Sequence, residues 1–200
     1  MRNNPGVPRP YYLVRHGQSE WNVLQLTQGQ TVAPRLTGRG RDQARRAAEL
    51  IRDDLALSGC RVDVIRTSDL ARAVETAEIL AELLGGVLIT DPRLREQHLG
   101  ELEGRPYVET WAAAATHDWS DLDLPVAGGE SPRQVRDRIG AALDAIDRAA
   151  VTVLVSHGDA IRAAVARLAA LHANEAPWLE VPNGAVARVR EGGVAWLGHS

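Results

Sequence analysis

Two short apolar runs, Tyr11-Tyr12-Leu13-Val14 and Val151-Thr152-Val153-Leu154-Val155, lack the polar–apolar alternation of a half-exposed strand. They are too short for buried helices and read as strands covered on both faces. That confines the chain to a sheet sandwiched between helices. Each run leads into a His-Gly pair, Arg15-His16-Gly17 in the first case and Ser156-His157-Gly158 in the second. In open parallel sheets ligands bind just past the C-terminal ends of the strands, so both histidines are candidates for a site.

The segments between these runs fit the same plan. After a loop containing Gly29 and Pro34, Ala44, Ala47, Ala48, Ile51 and Leu55 recur at helical spacing up to a Ser58-Gly59 stop. Val62 to Ile65 predicts a strand. Thr67-Ser68-Asp69 predicts the cap of a helix carrying Leu70, Val74, Ala77, Ile79, Leu80 and Leu83, which Gly85-Gly86 ends. Val87-Leu88-Ile89 follows as a strand. A polar, glycine-containing stretch with Trp111 and Trp119 reads as a lid-like insertion around 97–130. Ser131-Pro132 opens a helix through Val135, Ile139, Leu143 and Ile146, and another helix is predicted from about Ile161 to Leu171. Ala185 to Val189 and Val194 to Leu197 flank Glu191-Gly192-Gly193 as a hairpin. The sum is a three-layer α/β/α sandwich around a mostly parallel sheet. Residues 1–10 form a flexible tail and 11–200 a single domain, long enough to bury a sizeable core.

A net charge of −3 and a pI near 6.1 give no reason to expect nucleic acid or an anionic membrane as partner, so any anion must be held locally. No segment approaches a membrane span, and the N-terminus lacks the apolar core of a secretory signal. The one cysteine, Cys60, excludes an internal disulfide and suits a reducing cytoplasm. All 23 basic positions are arginine, so no chemical step can use a lysine.

Planar guanidinium groups satisfy phosphate oxygens in paired hydrogen bonds, which points to Arg15 and Arg72 as anion ligands. A neutral imidazole held in one tautomer can attack phosphorus, a role that fits His16. Around these residues the sequence resembles the histidine phosphatase superfamily, in its phosphoglycerate-mutase-like branch 1. The resemblance rests on Leu13-Val14-Arg15-His16-Gly17-Gln18-Ser19-Glu20-Trp21-Asn22, Ser68-Asp69-Leu70-Ala71-Arg72-Ala73-Val74-Glu75-Thr76-Ala77, Leu94-Arg95-Glu96, Gly100-Glu101-Leu102-Glu103-Gly104, Gly128-Gly129-Glu130-Ser131 and Val155-Ser156-His157-Gly158. It implies a phosphoglycerate-mutase-like fold and a metal-independent, cofactor-free phosphatase that forms a phosphohistidine on His16. It further implies that His157 stabilises the transferring oxygens and that Glu96 exchanges the proton of the leaving alcohol and then of water. Asn22, Gln28 and Gly29 would line the substrate, and Gly158 could offer its backbone N–H. The substrate would be a phosphorylated small molecule in preference to a phosphoprotein, and the protein a monomer or homodimer.

Other readings attach to several of these residues. Arg72 could form an i,i+3 pair with Glu75, and Arg93 and Arg95 could neutralise Glu96, with Glu101 and Glu103 as rival acids. Asp159 reads as a helix cap. His98, His117, His172 and His199 match no block, and of these His117 alone offers a substrate contact. Trp111 and Trp119 read as packing residues. Arg35 interrupts the first loop and either faces water or meets an extra anionic group. His16, His157 and Glu96 could ligate zinc, but adjacent arginines would repel the cation. A mutase is the nearest alternative activity. The absence of lysine and the short interval between Glu96 and His157 favour hydrolysis over it. A phospho-ligand binding module without turnover is the alternative of another class.

Overall fold

The computed structural model describes residues 9–56, 58–171, 179–191 and 193–198. Residues 1–8 of the expected tail, Gly192 of the expected hairpin turn, His172 and His199 lie outside the described residues. In chain order the elements are β1 (Tyr11–Arg15), α1 (Glu20–Val23), α2 (Gly38–Ala56), β2 (Val64–Thr67), α3 (Ala71–Leu84), β3 (Val87–Thr90), α4 (Tyr107–Thr116), α5 (Pro132–Asp144), β4 (Thr152–Ser156), α6 (Gly158–Leu168), β5 (Val186–Arg190) and β6 (Gly193–Leu197).

The strands form one six-stranded sheet in the order β3-β2-β4-β1-β5-β6. β3, β2, β4 and β1 run parallel, and the β5-β6 hairpin adds antiparallel strands beyond β1. Alternation along β1 sends its residues to two cores. Tyr12 and Val14 join Ala47, Ile51, Ala77 and Leu80 of α2 and α3 on one face. Tyr11 and Leu13 join Ile139, Leu143, Ile161 and Ala164 of α5 and α6 on the other. The result is the expected three-layer sandwich. Register then makes the site: Arg15 on β1 lies opposite Ser156 on β4, so His16 and His157 leave the same sheet edge side by side.

Several local boundaries differ from the sequence expectation. β2 starts later than Val62, because the N–H groups of Asp63 and Val64 both turn to the Val151 carbonyl, and it runs on to Thr67. The 67–69 segment does not cap α3. The N-cap is Leu70 without a side-chain bond; Ser68 accepts the Leu70 N–H, and Asp69 is paired with Arg95. α6 spans Gly158–Leu168 instead of 161–171. Ser131 opens α5 as expected, in a reciprocal capping box with Gln134. No described helix is long and apolar enough to cross a membrane.

The loop after β1 is pressed against the first turns of α2. A Cβ on Gly17 would stand 2.1 Å from the Gly40 carbonyl oxygen, and one on Gly40 would stand 2.1 Å from that of Gln18. Replacing an unconstrained helical glycine with alanine stabilises by about 0.8–1.0 kcal/mol. Here the sign reverses: Gly40→Ala is expected to lower the urea unfolding midpoint, and an increase would contradict this packing.

Candidate active site

His16 and His157 are both buried, with ring centroids 5.0 Å apart. The His16 Nδ1 lies 2.7 Å from the Gly17 carbonyl oxygen. A carbonyl only accepts, so Nδ1 carries the proton and Nε2 keeps its lone pair. The His157 Nε2 lies 2.9 Å from the Ser68 hydroxyl, which already accepts the Leu70 N–H. The hydroxyl proton has no other acceptor among the described residues, so it faces Nε2 and the ring proton belongs on Nδ1. That Nδ1 is buried and has no partner among the described residues. Burial first, and the Arg72 charge second, hold both imidazoles well below the ordinary histidine range. Both rings are neutral: His16 presents a lone pair at Nε2 and His157 an N–H at Nδ1.

Arg72 is fully buried on the first turn of α3. Its Nη1 and Nη2 donate to the carbonyls of Thr31 and Gly29 at 2.9 and 2.8 Å. Glu103 builds that loop by accepting the N–H groups of Gln30 and Leu99 and the Thr31 hydroxyl. Gly29 has φ +46°, and a Cβ there would collide with the Glu103 carboxylate. Arg15 donates from Nη1 to the Val181 carbonyl at 2.5 Å. The Nε atoms of both arginines are buried and have no partner among the described residues. Burial lowers both guanidiniums, Arg72 to about 10, so each remains a cation at neutral pH. The local alternative for Arg72 is overturned, because Glu75 pairs with Arg35 and Arg41. Arg35 itself stays largely in water, 69% exposed.

The Glu96 carboxylate sits on the N-terminus of α6, accepting the N–H groups of Asp159 and Ala160 at 3.1 Å and that of Gln97 at 3.0 Å. Asp159 is therefore not the cap. It lies in the first turn, paired with Arg162, because the helix already begins at Gly158 with His157 as its N-cap, and Glu96 takes the first-turn N–H groups. Burial, followed by the Asp159 charge, raises the Glu96 carboxyl above its usual range, against the pull of these N–H groups and Arg15. Arg93 and Arg95 pair with Asp91 and Asp69 and leave Glu96 unneutralised. Gly158 lies between the two halves of the site: a Cβ there would be 3.7 Å from both Arg15 Cζ and Glu96 Oε2.

Asn22 and Gln28 reach the site's edge through Ser19, whose hydroxyl donates to the Gln28 side-chain carbonyl at 2.7 Å. The Asn22 oxygen accepts the Ser19 N–H, and its amide donates to the Tyr107 hydroxyl at 3.1 Å. Gly17 does not free its own N–H for a ligand, since that group donates to Thr76. Of the rival acids, Glu101 is exposed and Glu103 is committed to the Arg72 loop. His98 lies 3.8 Å from Glu103, and His117 packs edge-on against Trp119. Among the described residues no three His, Cys, Asp or Glu side chains gather where a metal ion could be held.

Sequence reasoning missed several supporting groups. Asn183 donates to both the His16 carbonyl and Asn22, and Ser68 sets the His157 tautomer. Arg138 grips Glu130 and the carbonyls of Arg93, Arg95 and Glu96. The Gly128-Gly129-Glu130-Ser131 block was a visible signal for the last of these, and Asn183-Gly184 a turn signal for the first.

The sequence profile of the histidine phosphatase superfamily, branch 1, matches residues 11–197. A protein named "probable phosphoglycerate mutase GpmB" from Serratia proteamaculans is 35% identical over 195 residues, covering 93% of this chain and 86% of its own. Among solved structures, a mycobacterial glucosyl-3-phosphoglycerate phosphatase in complex with VO3 aligns with a TM-score of 0.75 at 32% identity, over 96% of this chain and 98% of its own. A protein called mycobacterial hydrolase 1 gives a TM-score of 0.75 at 31% identity, over 96% and 97%.

The buried neutral histidines carry a stability consequence. Unfolded, they titrate near about 6.5, so below that pH the unfolded chain binds protons the folded chain refuses. Their contribution is complete above this value and is lost as pH falls towards the lower folded values. Urea titrations between about pH 7 and 5 should show stability falling by up to about 1.4 kcal/mol per pH unit for each histidine. His157→Asn should flatten the fall; an unchanged slope would contradict the buried neutral state.

Proposed function

The chain belongs to the histidine phosphatase superfamily, branch 1, and from that membership we infer that it hydrolyses a phosphomonoester through a phosphohistidine on His16. The observation that carries this reading is the pairing of a lone-pair Nε2 on His16 with three buried donors that have no partner among the described residues: Arg15 Nε, Arg72 Nε and His157 Nδ1. Buried donors without acceptors are costly, and a phosphoryl group would satisfy all three.

In the first step the His16 Nε2 lone pair forms the N–P bond as the P–O bond to the leaving alcohol breaks. Glu96, whose affinity for a proton burial raises, gives a proton to the departing oxygen. Arg15, Arg72 and the His157 Nδ1–H hold the charge on the nonbridging oxygens. In the second step water attacks phosphorus, Glu96 takes the proton back, and His16 leaves as the neutral imidazole. His16 remains one-protonated throughout, because the Gly17 carbonyl holds the Nδ1 proton.

Mutase chemistry would use the same phosphohistidine but hand it to a second hydroxyl, and the GpmB relatives carry that name. Hydrolysis is preferred because the chain has no lysine and the nearby arginines Arg35, Arg93 and Arg95 are paired with Glu75, Asp91 and Asp69. A carboxylate-bearing second substrate would need such cations.

Wild-type protein in chelator is expected to release phosphate from p-nitrophenyl phosphate, with His16→Ala at background. Arg72→Ala should lower kcat/KM by about 100- to 1,000-fold. With 3-phosphoglycerate, phosphate release should exceed enolase-coupled formation of 2-phosphoglycerate, and the opposite ratio would select the mutase. Equal, background rates for wild type and His16→Ala would sink the enzyme reading.

A further inference from the structure

α4 is tied to the phosphate side of the site by its first turn. The Tyr107 N–H donates to the Gln25 carbonyl at 2.8 Å, Leu26 and Pro106 form an isolated β-bridge, and the hydroxyls of Thr27 and Thr110 are bonded. On this helix Tyr107 reaches inward to Asn22. The orientation of Asn22 is fixed, because its oxygen must accept the Ser19 N–H, so its amide nitrogen faces Tyr107. Tyr107 therefore accepts from Asn22 and keeps its own proton to donate. Arg15 and Arg72 lie within electrostatic reach of Tyr107, and neither can accept a hydrogen bond. Among the described residues no side chain or carbonyl takes this proton, and an anion held by the two arginines would accept it.

One turn further, Trp111 shares the Tyr107 face of α4. The two rings lie 6.0 Å apart at 35°, and Trp111 is 65% exposed. Val23 and Leu24, also exposed, stand at the end of α1 on the segment to which α4 is tied. An indole face left open beside Tyr107 suits a ring.

We propose that α4 forms the leaving-group side of the site, with Tyr107 donating a hydrogen bond to an oxygen of the bound phosphomonoester and Trp111 stacking on a ring in its organic part. The inference rests on the phosphomonoester reading and deepens it. It assigns ring-bearing phosphomonoesters as the preferred substrates over small acyclic ones.

Calorimetric titration with phenylphosphonate and methylphosphonate tests this without turnover. Wild type should bind the phenyl compound about tenfold more tightly. Trp111→Ala should bring the ratio close to one while leaving methylphosphonate affinity unchanged. Tyr107→Phe, which keeps the ring, should weaken both by about tenfold and preserve the ratio. Unchanged unfolding midpoints would show both variants folded. A wild-type ratio near one, a ratio that survives Trp111→Ala, unchanged affinities in Tyr107→Phe, or no binding of either phosphonate would overturn the proposal. Absent hydrolysis alongside the expected phosphonate pattern would instead sink the catalytic reading and leave this one standing.

Discussion

The structure is organised around a cation buried without a carboxylate. Arg72 is fully enclosed, and among the described residues neither it nor Arg15 forms an ion pair. Burying such a charge costs several kcal/mol unless its surroundings answer it. Here the answer is a set of backbone carbonyls, from Gly29 and Thr31 for Arg72 and from Val181 for Arg15. Carbonyl dipoles hold the guanidiniums in place but leave their net charge uncancelled. Burial first, and the same charge second, keep His16 and His157 neutral. The protonation state of His16 thus follows from its enclosure beside these arginines, and the remaining positive charge is what an incoming dianion would meet.

Glu96 is the counterweight. Its carboxylate faces the positive end of α6 and takes two first-turn N–H groups, which favour the anion, while burial and Asp159 favour the acid. Arg138 fixes the backbone on either side of it by gripping three carbonyls, and Glu130 fixes Arg138 in turn. A side chain braced this way is placed by its backbone and not by a salt bridge of its own. Because it closes the first turn of the helix that begins beside His157, the proton on Glu96 and the geometry around His157 are linked.

The layer architecture and the two strands that deliver His16 and His157 to one edge were legible in the sequence, because periodicity and the His-Gly pairs are local signals, whereas Arg72 and Glu96 stood out only through the resemblance to the family. What failed were local rules applied where distant residues had already taken the partner. Asp159 stands where a cap is expected, yet the helix already begins at Gly158, and Glu96 from far upstream takes its first-turn N–H groups. Glu75 is one turn from Arg72, yet Arg35 and Arg41 claim it. Arg93 and Arg95 flank Glu96 but turn to Asp91 and Asp69. Nor could spacing show that Ser68 sets the His157 tautomer or that Asn183 bridges the His16 carbonyl and Asn22, since both are contacts across the sheet edge.

Proton traffic at such a site is restricted by composition as well as geometry. With arginine at all 23 basic positions, no ammonium can give up a proton, and the buried guanidiniums stay charged. Both histidines are held low, so neither can serve as a protonated acid near neutral pH. That leaves Glu96, displaced upward, as the group in the assembled site whose proton can come and go. The phosphate-facing half is fixed by strand ends that any member of this fold can share, whereas the opposite half is built from α4 and the segment after α1. Relatives about one-third identical to this chain bear both mutase and phosphatase names. Fold and phosphoryl chemistry can therefore be common to them all while the organic part of the substrate is chosen by side chains such as Tyr107 and Trp111, outside the elements that hold His16.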